Sequence, residues 1–128
     1  MSSIKQGLYY SEDHEWLRAE GGFAYIGITY YAQHSLGDLV FADAEPEGSE
    51  VSKGETVGVV ESVKAASDVN APVSCKIVRV NTGVLDSPEL INSEPYESWL
   101  VKVKLTDPPE LDSLMDAGEY KTFLDGVE

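Results

Sequence analysis

Cationic residues are scarce in this chain of 128 residues: nine Lys or Arg stand against 23 Asp or Glu, a formal net charge of −14. Such a surface repels phosphate backbones and anionic lipid, which excludes general nucleic-acid binding and electrostatic attachment to membranes. Cysteine is nearly absent as well. Cys75 stands alone, so neither an internal disulfide nor a cysteine-based zinc site can form, and no metal site is expected. No apolar run approaches the roughly 20 residues that cross a bilayer. The opening MSSIKQG has neither a signal-peptide core nor an Arg-rich transit segment. The chain is therefore expected in the cytoplasm, or in the mitochondrial matrix if it is a trimmed mature form, and as a monomer.

The residues present describe a folded domain. With 42% hydrophobic and 25% charged residues, the composition is globular, and the length suits one domain over residues 1–128. Gly21-Gly22 separates the apolar-rich runs Glu15–Arg18 and Phe23–Ile28 and reads as a hairpin turn. Thr29 is placed to cap a short helix over Tyr30–Leu36, which Gly37 would end. Leu39–Phe41, Thr56–Val60, Ser67–Asn70 and Lys76–Val80 read as strands, with turn signals at Glu45–Gly48, Lys53–Glu55 and Ala71-Pro72. Trp99, Val101, Val103 and Leu105 alternate with Lys102 and Lys104, the pattern of a half-buried strand. Short strands at this spacing predict a mainly β sandwich or flattened barrel over about residues 8–105. After Asp107-Pro108-Pro109, spacings of three and four link Leu111, Leu114 and Met115, then Tyr120 and Leu124. They predict a helical tail over about 107–128 with an acidic outer face.

Among the candidate reactive groups, Lys64 holds the most informative position. The segment ESVKAASDVNAPVS (61–74) joins two predicted strands, and Lys64 falls where the chain must reverse. A lysine at a hairpin tip projects its amine away from the body. Its neighbours Val63, Ala65 and Ala66 are small or apolar, a surface another protein can read, although an ordinary surface lysine would also fit. Cys75 as a nucleophile with His14 or His34 as a base is a further reading, but no spacing links them. Trp16 and Trp99 are most simply core residues.

Several blocks in order carry a family resemblance: SEDHEW (11–16), GIT (27–29), AQHSLGDLVF (32–41), ESVKAASDVNAPVS (61–74), PELIN (88–92) and PYESWLVKVKL (95–105). From Tyr10 to about Leu124 the chain resembles the lipoyl-carrying H proteins of the glycine cleavage system. The tip separates it from related carriers: 2-oxo acid dehydrogenase lipoyl domains usually place Asp before the modified lysine, and biotin carriers flank theirs with methionines. Here the flanks are Val63 and Ala65. The resemblance implies a lipoyl/biotinyl-type fold and lipoic acid in amide linkage to Lys64, which would bring the charge to −15. It also implies recognition of the tip through Glu61, Val63 and Ala65.

The implied role is that of a carrier with no turnover of its own. The aminomethyl group would come from a pyridoxal-phosphate glycine decarboxylase and pass to a tetrahydrofolate-dependent aminomethyltransferase. A dihydrolipoyl dehydrogenase would reoxidise the arm, which a lipoyl-attaching enzyme installs. Glu15 and Asp68 match the family's arm cleft, where a carboxylate would hold the cationic amine of the loaded arm. Either residue could instead be an ordinary surface carboxylate. A relay protein that donates lipoyl groups to other carriers would need the same lysine and fold.

Several positions bear on the match to the family pattern. Cys75-Lys76 replaces a Gly-acidic pair, and a side chain at a positive-φ turn there would cost about 1 kcal/mol or more. Ser98 stands where Gly is common, Ala44 replaces a larger apolar residue, and His34 lies at a variable position.

Overall fold

Residues 4–127 are described by the structure, a computed structural model. Two antiparallel sheets face each other as a flattened barrel, as the strand pattern predicts. Their strands are β1 (Tyr9–Tyr10), β2 (Glu15–Glu20), β3 (Phe23–Ile28), β4 (Leu39–Ala44), β5 (Glu50–Val51), β6 (Thr56–Ser62), β7 (Ala66–Asn70), β8 (Cys75–Val80) and β9 (Val101–Leu105). The large sheet runs β1-β2-β3-β9-β8-β5 and the small one β4-β6-β7. Alternate residues of both sheets meet in one core that includes Leu17, Ile26, Val57, Val60, Val69, Ile77, Val101 and Val103.

Local signals acted where expected. Gly21, at φ +63, turns β2 into β3. Helix α1 spans Tyr30–Leu36; Thr29 Oγ1 accepts from Ala32 N at 3.2 Å, and Gly37 closes the helix at φ +88. Trp16 is fully buried and donates from Nε1 to Pro95 O. Its indole lies flat on Gly27, where a Cβ would sit 2.7 Å from the ring, so only glycine fits there.

Other expectations need correction. Trp99 lies outside β9 and is half-buried, edge-on to Tyr25. Leu100 takes the core place, because its N–H donates to Ile26 O and starts the strand pairing one residue later. The tail is not one amphipathic run. Pro108–Ser113 forms a 3-10 helix, and Met115 exchanges both backbone hydrogen bonds with Tyr10, at 2.8 and 2.9 Å. Helix α4 (Ala117–Val127) then begins at a reciprocal cap between Asp116 and Glu119. Two short helices, α2 (Thr82–Asp86) and α3 (Glu89–Ser93), were not anticipated; five residues are too few for a periodic signal.

The departures at residues 75 and 98 cost little. Among the described residues His14 is the only non-glycine with positive φ, so Cys75 meets no left-handed strain and pairs with Leu105 in β8. Ser98 is buried and satisfied, donating from Oγ to Leu90 O at 3.0 Å. Ala44 is half-buried at the end of β4.

Candidate functional site

Lys64 sits in the reversal between β6 and β7, where residues 63–65 leave the strands. Ser62 builds this turn. Its N–H donates to Ala65 O at 2.7 Å, while its Oγ accepts from Lys64 N and Ala65 N. Val63, at 85% exposed, and Ala65 flank the lysine, and Glu61 pairs across the sheet with Phe41 and Ala66. The lysine stem passes beside Gly37, where a Cβ would stand 3.6 Å from Lys64 Cε. Asn92 of α3 fastens that supporting segment. Its Nδ2 donates to Gln33 Oε1 and Gly37 O, and its Oδ1 accepts from Leu39 N.

The strand after the tip leads toward Glu15. Hydrogen-bonded pairs alternate along an antiparallel ladder. With Ser62 bonded to Ala65, the N–H groups of Ala66 and Asp68 face away from β6, along the outer edge of the small sheet. Asn70 continues this series, and its N–H donates to Glu15 Oε2 at 3.0 Å. From Ala66 to Asn70 the edge spans about 13 Å. Glu15 is 2% exposed and also accepts from Ser11 Oγ on Oε1; Ser11 Oγ in turn accepts from Glu15 N. Burial pushes the Glu15 carboxyl up to about 7, against the opposing effect of the Ser11 and Asn70 hydrogen bonds. A cleft of about 340 Å³ opens beside it, lined in part by Ser11, Asp13, Lys53 and Pro72. Asp68 is exposed, two residues from Asn70 on the same strand, and its carboxylate makes no hydrogen bond or ion pair among the described residues. The structure thus connects Glu15 to the strand that carries Asp68 without bringing the two carboxylates into contact.

Cys75 does not form a nucleophilic centre. It is 1% exposed, and burial raises its thiol to about 11. His14 Nδ1 lies 2.8 Å from Tyr120 Oη, and His34 stacks on Tyr30; no hydrogen bond joins either ring to Cys75. The sequence reading missed Ser11, Ser62, Asn70 and Asn92 as builders of the site. Each lies inside or next to a block already singled out, but a serine or asparagine carries no signal of its partner until the chain folds.

A model of the glycine cleavage H-protein family matches residues 8–126. The chain is 56% identical over 122 residues to the glycine cleavage system H protein of Thermoanaerobacter sp. (strain X514), covering 95% of this chain and 97% of that one. It is 53% identical over 123 residues to the mitochondrial glycine cleavage system H protein of Flaveria pringlei, covering 95% and 76%. The crystal structure of a glycine cleavage system H protein from Mycobacterium marinum superposes with a TM-score of 0.83 at 42% identity, covering 91% of this chain and 95% of that one. With the fold and nearly the full length matched, the chain belongs to the glycine cleavage H-protein family.

Proposed function

We propose that this chain is the lipoyl carrier of a glycine cleavage system, acting as one domain and without catalytic turnover, with lipoic acid amide-linked to Lys64 Nζ. The observation that carries this is an exposed lysine on a serine-braced tip, from which a free strand edge leads to a buried carboxyl. When attached, the dithiolane supplies reversible disulfide chemistry and a thiol that carries a one-carbon amine between enzymes.

The chain's own residues do the rest. Ser62 holds the turn that leaves Lys64 exposed, with its stem lying beside Gly37. The outward N–H groups of Ala66 and Asp68 offer hydrogen bonds along the route back to the cleft. Glu15, poised near neutrality, ionises when a cationic amine arrives and holds it by a charge-assisted hydrogen bond. Asp68 adds negative charge beside that route. Burial of Glu15 keeps water from the amine's attachment point. Glu61, Val63 and Ala65 are the side chains nearest the lysine that a partner can read. The partners this reading calls for are glycine decarboxylase, the aminomethyltransferase, dihydrolipoyl dehydrogenase and a lipoyl-attaching enzyme. Relatives include a mitochondrial protein, so the compartment follows the source of the chain.

Intact mass after co-expression with a lipoyl-attaching enzyme tests the assignment. A lipoyl-sized gain in the wild type and none in Lys64→Ala is expected; a gain retained in Lys64→Ala would refute it. Lipoylated protein should then support exchange of the glycine carboxyl carbon by a glycine decarboxylase. Silence with a competent enzyme would favour a lipoyl relay instead.

A further inference from the structure

The outer face of the small sheet carries apolar side chains that the fold itself does not need. Simple alternation along β4 would bury one of Val40 and Phe41. A β-bulge between Leu39 and Phe41 instead turns both outward, at 57% and 44% exposed. Asn92 pins the start of this strand through Leu39 N, so the bulge is braced rather than loose. Val63 continues the apolar patch to the tip, since Leu39 pairs with Ser62, its immediate neighbour. Acidic residues rim the patch: Glu61 pairs with Phe41, and Asp43 and Asp68 flank Val59 from either side. Lys64 is the sole Lys or Arg within residues 38–44 and 56–70, whereas Arg18, Lys76, Arg79, Lys102 and Lys104 all lie on strands of the large sheet.

Reach decides which partner this face serves. A finished arm carries its reactive end well beyond the tip, so an enzyme that acts on that end need not cover the surface around Lys64. The enzyme that attaches the arm must bring its centre to the bare amine, whose stem extends only about 6 Å from the backbone. Its surface must therefore cover what surrounds Lys64. We propose that Val40, Phe41 and Val63, with the rim of Asp43, Glu61 and Asp68, form the docking face for the lipoyl-attaching enzyme. That enzyme would present an apolar socket edged by Lys or Arg. The proposal rests on Lys64 being the attachment residue. In the step served, Lys64 Nζ bonds to the acyl carbon of a lipoyl adenylate, the bond from that carbon to the phosphate oxygen breaks, AMP leaves, and the amine loses a proton.

The test uses the unlipoylated full chain with a lipoate–protein ligase, lipoic acid and ATP, following lipoylation by intact mass. Val40→Thr/Phe41→Thr places threonine, a residue suited to strands, at both positions. It should raise KM about tenfold with kcat little changed. Val78→Thr, an exposed apolar residue on the large sheet, should leave both unchanged. Thermal melting checks the fold, and if the double variant melts early the single Phe41→Thr carries the same comparison. Added salt should raise KM for the wild type, and less so for Asp43→Asn/Asp68→Asn. Unchanged KM in the Val40/Phe41 variants, or an equal rise in Val78→Thr, overturns the proposal. So does normal lipoylation joined to weakened use of the preloaded variant by glycine decarboxylase, which assigns the face to that enzyme. Failure of the wild type to gain mass at Lys64 would instead refute the attachment reading.

Discussion

Glu15 shows how much a single side chain gains from burial. Its carboxyl is held by Ser11 and Asn70, yet loss of water outweighs both and lifts it from an ordinary 4.5 to about 7. A carboxyl with a raised folded value favours the protonated native state. Its contribution to stability is full below about pH 4.5 and disappears as pH rises through 7. Denaturant unfolding should therefore show stability falling across that window. Glu15→Gln should flatten the fall and exceed the wild type by about 1–3 kcal/mol at pH 8. An unchanged slope in the variant would place the titration elsewhere. Cys75 shows the same physics with a different consequence. Burial raises its thiol to about 11, so Cys75→Ser should leave carrier activity intact while costing stability. Loss of lipoyl-dependent exchange in a folded Cys75→Ser protein would contradict this.

At the scale of elements, the short helix α1 depends on contacts at both ends. Thr29 caps Ala32 N and also lies 2.9 Å from Tyr120 Oη, which ties α1 to α4. Thr29→Ala removes both contacts in a fully buried position and should cost about 1–2 kcal/mol, read as a lower midpoint in urea. Asn92 does the corresponding work at the far end. It joins α1, α3 and β4 by three hydrogen bonds. Asn92→Ala leaves two acceptors and a backbone donor without partners and should cost about 1–3 kcal/mol. Because Lys64 rests against the segment Asn92 secures, hydrogen exchange should also quicken over residues 37–41. Protection equal to the wild type there would show that the strand pairing alone holds the segment. By contrast, the break within the helical tail leaves no mark in its apolar spacing, because that spacing is also met by a 3-10 turn followed by a helix. The prolines at 108 and 109 and the Tyr10–Met115 exchange set the break.

Across the whole molecule, charge is sorted by sheet. Most cations lie on the large sheet, while the face around Lys64 is acidic, and the proposed lipoylation would make it more so. A net charge of −14 acts beyond contact range at low ionic strength. Docking to partner enzymes should therefore weaken several-fold between about 0.05 M and about 0.5 M salt, chiefly through slower association. Surface plasmon resonance or stopped-flow mixing measures this directly, and salt-independent association rates would reduce the surplus charge to a solubility role.

Strand positions, the capped helix and the tip lysine were legible in the sequence because each depends on local signals: alternation, Thr29 and Gly37 around α1, and ESVKA between two apolar runs. The order of strands, the raised carboxyl of Glu15 and the exposed bulge at Val40–Phe41 depend on which distant segments meet. The buried Glu15 takes a hydrogen bond from the N–H of Asn70, 55 residues away. Phe41 is exposed because a bulge shifts its register against β6. Local signals along the chain chose the elements and set the lysine at the tip. Contacts between distant parts of the chain decided what surrounds that lysine, since burial and desolvation arise only when the sheets come together.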